Sequence, residues 1–308
     1  MRVSAEASRQ LDDSSSPPAR LRHVMFAITS AAILVVMWGT IRSLVSYAWD
    51  SENTNASQVL LIPFISAALL FVNRAKIFRR LEYGALPGAL VVAGGIGLWF
   101  ASRAWGSQLM SEGDRIGLPT SAMIVMWIGC FLIFYGQYAF RAALFPLLFL
   151  IFAIPIPSLI MDNLVDFLRR GSADITFYLL RLTGTPVHRE GFVFVLPGLP
   201  IEIAKECSGI RSCLAMLILS VLTGYMLLGT WWRRLVLVAV ALPVMLFKNA
   251  LRIVTLSLLS IHVDPGIIQS RLHREGGIPF FLIALVLIYP VVKMLMKSER
   301  EALVSAKS

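Results

Sequence analysis

The chain is short of charge. Only 15% of its 308 residues are Asp, Glu, Lys or Arg, against about 25% in ordinary soluble domains. With 57% apolar residues and a mean hydropathy of +0.75, that scarcity excludes a disordered chain and argues against a soluble globular one. Cysteine is scarce too. Three cysteines cannot build a disulfide framework, and at least one thiol must stay unpaired. Four histidines are few enough to weigh one at a time. No close Cys/His spacing suggests zinc, so neither a metal nor a cofactor is called for.

What the chain has instead is long apolar runs. Runs of about 20 apolar residues read as transmembrane helices. The expected class is an all-α polytopic membrane protein of about eight transmembrane helices, with a small extracytoplasmic loop or hairpin region. Residues 1–23, with Ser14-Ser15-Ser16-Pro17-Pro18, read as a disordered cytoplasmic tail. The apolar run Val24 to Tyr47 is too long for a signal-peptide core and reads as an uncleaved first span. Further spans are expected at Val59–Val72 (short for a bilayer), Gly84–Ser102, Leu118–Tyr138, Ala142–Met161, Cys207–Leu228, Leu235–Ile261 and Gly277–Met296. The membrane domain then covers 24–296, with a basic cytoplasmic tail at 297–308. Met161 to Leu182 carries Asp162, Asp166, Arg169, Arg170, Asp174 and Arg181, too many charges to cross lipid cheaply. It reads as an amphipathic or interfacial helix.

The net charge of +10 does not require nucleic acid, because cytoplasmic loops are enriched in Lys and Arg. With the N-terminus inside, the inner segments hold 15 of the 28 basic residues, and the loop Asp50 to Gln58 holds none. Both termini are then cytoplasmic. The long polar region 162–206 and the loop His262 to Gly276 face outward. Within the first, Phe192-Val193-Phe194-Val195-Leu196 and Ile201-Glu202-Ile203-Ala204, separated by Pro197-Gly198, read as two short strands or a hairpin.

Polar groups inside spans need a reason. Four basic residues fall there: Arg42, Arg211, Lys248 and Arg252. Arg42 lies near an outer end, and snorkelling accounts for it. Arg252 follows Leu235 by 17 residues, about 26 Å along a helix, and so nears the outer surface. Lys248 and Asn249 precede it on one helix face. Such a stripe is expected to point into a polar cavity, though two basic residues at a span end can also snorkel.

Cys207 is expected to open the sixth span, within Glu206-Cys207-Ser208-Gly209-Ile210-Arg211-Ser212, with Ser208 as its N-cap. A thiol beside the free N–H groups of a helix start is acidified, and the same groups can hold an oxyanion. A carboxylate at Glu206 works against this unless Arg211 or Lys248 pairs with it. The bland alternative, a buried inert cysteine, fits Cys130 and Cys213. Cys213 sits about 9 Å further up the helix, out of disulfide reach of Cys207. His273 precedes the last span, at the same outer level. A cysteine, an arginine and a histidine from three spans thus reach one side of the membrane. A thiolate attacks a carbonyl, a histidine moves the proton, and an arginine stabilises the oxyanion. His188 and His262 also lie outside. Asp264-Pro265-Gly266 marks a turn beside His262, so that histidine reads as structural, and the choice of acid/base stays open to mutation.

The motif around Cys207, Asn249-Ala250-Leu251-Arg252-Ile253, and His273 ahead of a final span resemble the exosortase/archaeosortase family of multi-pass membrane cysteine transpeptidases. So does the lead-in Gly191, Gly198 and Ile201-Glu202-Ile203-Ala204. The specific resemblance covers roughly 186–277. It implies Cys207 as nucleophile, Arg252 as transition-state stabiliser and His273 as acid/base, with Glu206, Ser208, Gly209, Arg211, Lys248 and Asn249 supporting or binding substrate. It implies secreted substrates ending in a short motif such as Pro-Glu-Pro, one transmembrane helix and a basic tail. It further implies a cell-surface acceptor, glycan or lipid. Glu206 stands where the family has a small residue. A transporter, suggested by the Lys248/Arg252 stripe and Pro243, and a non-catalytic scaffold for surface-polymer export are the competing classes. The inner half of the seventh span, Leu235 to Leu246, is wholly apolar, which offers transport little.

Overall fold

A computed structural model describes residues 19–49, 58–104, 111–197, 199–204, 208–264, 266 and 277–305. The chain forms two compact units, Met1–Ser158 and Leu159–Ser308. Among the described residues, five helices are long and apolar enough to cross a membrane. Counting each of two bent pairs as one span raises this to seven, beside a shorter apolar helix.

The first unit opens with α1 (Ala19–Val36) and α2 (Trp38–Trp49). These replace the expected single first span with a pair bent by 68°. Helix α1 also starts inside the stretch read as a disordered tail. Arg22 of its first turn is buried and lies 4.1 Å from the centre of the Tyr83 ring. A 3-10 turn, Val59–Leu61, leads into α3 (Ile62–Val72), followed by α4 (Arg74–Ile77), α5 (Ala85–Ala104) and α6 (Glu112–Ala142). Helix α6 is broken at Gly136. α5 and α6 approach closely because small residues face each other. A Cβ on Gly88 would stand 2.6 Å from the backbone N of Ile133, so no larger residue fits there. Phe26, Trp127, Phe131 and Tyr135 fill the unit's interior, and His23 Nδ1 lies 2.9 Å from the Tyr135 hydroxyl.

The expected fifth span, Ala142–Met161, is not one helix. α7 (Leu144–Phe149) runs into a 3-10 turn that ends at Ala153, and Ile154 is extended. The next helix, α8 (Ser158–Leu182), is a separate element. Pro155 and Pro157 explain the break: each lacks an N–H and biases the residue before it away from the helical region. Asp114 fixes the far side, accepting from Ser158 N (2.8 Å) and Ser158 Oγ (2.6 Å).

The second unit contains α8, a three-stranded antiparallel sheet, and α9 (Ile210–Leu227), α10 (Trp231–His262) and α11 (Gly277–Ser305). α8 is amphipathic as expected. Val165, Leu168, Ser172, Ala173, Thr176 and Leu180 are buried, a spacing of three and four that makes one face. The sheet has one strand more than expected: β1 (His188–Glu190), β2 (Val193–Leu196) and β3 (Leu199–Glu202). Val195 pairs with His188 on one side and Pro200 on the other. Phe194, Leu196 and Ile203 pack on Ala173, Leu180 and Val254, so the sheet lies against α8 and α10. Leu237, Ala241 and Met245 form an apolar cluster with Ala284, Ile288 and Leu295. Beyond that cluster, Glu299 of α11 accepts from Gly229 N (3.0 Å), Thr230 N (2.9 Å) and Thr230 Oγ1 (2.7 Å), capping the start of α10.

Candidate active site

Glu206, Cys207 and His273 lie outside the described residues. The geometry therefore comes from what grips the chain on either side of Cys207. Upstream, Ile203 N–H donates to Phe192 O at 3.0 Å. Arg169 of α8 donates from Nε to the Ile203 carbonyl and from Nη2 to Glu202 Oε1 at 3.1 Å. Its guanidinium also stacks 3.8 Å from the centre of the Phe192 ring. One arginine thus holds backbone, carboxylate and aromatic ring together, four residues ahead of the cysteine. A guanidinium does this because its planar fork offers several donors and a face that stacks.

Downstream, the expected helix start is corrected. α9 begins at Ile210, and its cap is Gly209, left-handed at φ 75° with no side-chain cap bond. Ser208 precedes the turn and does not cap it; its side chain is buried, and among the described residues its Oγ has no hydrogen-bond partner. A left-handed residue at a helix start is cheap only for glycine. Space enforces the same choice, since a Cβ on Gly209 would stand 2.8 Å from Asn249 Oδ1. The turn two residues past Cys207 therefore seats directly on α10, three residues before Arg252.

The Lys248–Asn249–Arg252 stripe does not act as one face lining an open cavity. Lys248 is 0% exposed and Asn249 2% exposed, while Arg252 is half-buried. Lys248 Nζ donates to Ser212 Oγ at 2.6 Å, toward α9. Asn249 Nδ2 donates to Ser172 Oγ at 3.0 Å, toward α8. Ser212 Oγ in turn donates to the Gly209 carbonyl at 3.0 Å. The network runs Ser172–Asn249, then Gly209–Ser212–Lys248. Buried polar groups are costly unless bonded, and here the bonds lock the turn after Cys207 to the helix that carries Arg252.

Arg211 is exposed at the first turn of α9. His188 is exposed on β1, 3.4 Å from Glu190. His262 is exposed in the last turn of α10, ahead of a turn in which Gly266 N donates to Asp264 Oδ1 at 2.8 Å. Cys130 and Cys213 are free thiols. Sequence reasoning missed Arg169, Ser172 and Ser212 as supporting residues. A signal existed for the first two: an arginine and a serine three apart fall on one face of an amphipathic helix.

Compared with known proteins, residues 49–290 match the family model described as transmembrane exosortase. No curated protein and no solved structure matches the chain.

Proposed function

The chain belongs to the transmembrane exosortase family, and on that premise we propose that it is a membrane-embedded cysteine transpeptidase. Its substrates are secreted proteins whose C-terminal sorting signal ends in a short motif, a transmembrane helix and a basic tail. The Cys207 thiolate attacks the scissile carbonyl, and Arg252 faces the oxyanion of the tetrahedral intermediate. His273 protonates the departing amine, leaving a thioester. The same imidazole then takes a proton from an acceptor nucleophile, which attacks the thioester and frees the thiol. The basic-residue bias supports cytoplasmic termini and an outward-facing site in the cytoplasmic membrane. A substrate helix lying in the same bilayer brings its scissile bond to the outer surface and supplies proximity. The edge strand β3 suits an added strand of substrate.

The observation that carries this reading is the seating of Gly209 on Asn249. It brings the turn after Cys207 against the helical turn of Arg252, although some forty residues separate them in sequence. The wholly apolar cluster around Leu237, Ala241 and Met245 speaks against a transport path along α10. The test follows a tagged substrate with such a sorting signal by gel. Cys207→Ser should lower processing by about 10³-fold or more, whereas Cys130→Ser and Cys213→Ser should leave it within two-fold. Single His→Ala changes at 188, 262 and 273 identify the acid/base. Unchanged processing in Cys207→Ser refutes the mechanism.

A further inference from the structure

The first unit contains a polar cavity of about 750 Å³ between α2, α5 and α6, inside the size range of small-molecule sites. Among the described residues, its walls carry three guanidiniums, Arg42, Arg103 and Arg115, against one carboxylate, Glu112. Ser43 and Ser46 add hydroxyls, and Trp99 supplies an aromatic wall. Arg103 lies over the Trp99 ring at 5.1 Å. Among the described residues, none of the three arginines forms an ion pair.

That is an unusual arrangement for a membrane protein. A guanidinium within an apolar helix is expensive, and Arg42 stands seven residues before the end of α2. Snorkelling explains a lone arginine at a helix end. It does not explain three exposed guanidiniums that line one cavity from three helices with no ion pair among the described residues. The lining positions run along α2 from Gly39 to Ser46 and occupy the last turns of α5 and the first turns of α6. Helix ends bearing Trp and Arg lie at the level of lipid headgroups. A guanidinium fork matches phosphate oxygens, and basic pockets between transmembrane helices take anionic lipid heads.

We propose that this cavity binds the phosphate-bearing headgroup of an anionic phospholipid. Arg42 and Arg115 grip the phosphate from two helices, the serine hydroxyls and Trp99 receive the rest of the headgroup, and the acyl chains leave along the lipid-facing sides of the helices. The shared chemistry is phosphate. A lipid is the favoured source because headgroups are concentrated at this depth, whereas a soluble anion must reach it from bulk water. The proposal uses residues of the first unit alone and does not depend on the assignment of Cys207.

The test uses the full chain, purified in mild detergent, with lipid retention read by native mass spectrometry. Dioleoyl phosphatidylglycerol should be retained about ten-fold better than dioleoyl phosphatidylcholine. Arg42→Gln combined with Arg115→Gln should abolish that preference. Ser46→Phe, which fills the cavity without touching a charge, should weaken retention as well. Arg300→Gln, an exposed arginine at the end of α11, should leave it intact. Equal retention of the two lipids by the unaltered chain overturns the proposal, as does a preference that survives both the double variant and Ser46→Phe. Displacement of phosphatidylglycerol by millimolar inorganic phosphate, as effective as by excess phosphatidylglycerol, overturns the lipid assignment in favour of free phosphate.

Discussion

The two ends of the second unit satisfy buried charge in opposite ways. At one end, Glu299 takes three hydrogen bonds from Gly229 and Thr230 and faces Arg233 at 3.5 Å. Arg233 also donates to the Ser298 carbonyl at 3.2 Å. Charge there is matched by charge and by a helix N-terminus, the arrangement that stabilises. At the other end, Lys248 is wholly buried. Among the described residues it meets a single acceptor, Ser212 Oγ, and no carboxylate. In the turn before α9, the Ser208 hydroxyl is buried with no hydrogen-bond partner among the described residues. An ammonium and a hydroxyl held this way cost stability. Economy of structure governs the first end; at the second, polar groups are kept at a cost.

Five substitutions break or sharpen this contrast. Gly209→Ala has the largest expected effect. It forces a side chain into the left-handed region and against Asn249, costing about 2 kcal/mol or more, and processing of a tagged substrate should fall by about 10²-fold. Asn249→Ala removes the bond to Ser172 and leaves that buried hydroxyl alone, a loss of about 1–3 kcal/mol in detergent unfolding. Asn249→Asp, which keeps an acceptor but loses the donor, should not restore processing.

Lys248→Met separates the two ends most cleanly. Replacing a buried charge by an apolar chain of similar length should leave stability within about 1 kcal/mol or raise it, while processing drops. A clear loss of stability would show the ammonium to be structural. Glu299→Gln should do the reverse: about 1 kcal/mol less stable, with processing within two-fold.

The acid side follows from the same carboxylate, which stands three residues past the apolar stretch ending at Met296. Its bond from the Thr230 hydroxyl, with the backbone bonds and Arg233 adding to it, outweighs burial and lowers its pKa from 4.5. A depressed carboxylate contributes stability in full above its unfolded value, and that contribution fades as pH falls through the folded value. Unfolding midpoints of the unaltered chain and Glu299→Gln should therefore converge once pH falls below the depressed folded value. A constant gap would remove Glu299 as the source.

The helices were legible in the sequence because lipid demands long apolar runs, and such runs survive any packing detail. The break after Ala153 was not anticipated, although Pro155 and Pro157 carried its signal. What escaped notice has physical reasons. His188-Arg189-Glu190 has no β preference; it becomes a strand because Val195 pairs with it and Arg189 reaches Asp174 at 2.7 Å. Ser208 looks like a cap by residue type, yet a left-handed Gly209 makes the turn and puts it out of reach. Arg169 reads as one more charge on a polar helix until the fold sets it on the Ile203 carbonyl. The stripe on α10 was found by spacing alone, but only three-dimensional packing sends Lys248 and Asn249 to different neighbours.

The contact between Glu299 and Gly229 spans 70 positions of chain. Until the ribosome has released the last of those positions, the opening turn of α10 has no carboxylate to close it. Both intervening helices must be made and folded back before the latch exists. The order of synthesis therefore makes this clasp one of the last events in the biogenesis of the unit, and the turn beside Cys207, nested between helices completed earlier, takes shape before the far end is sealed.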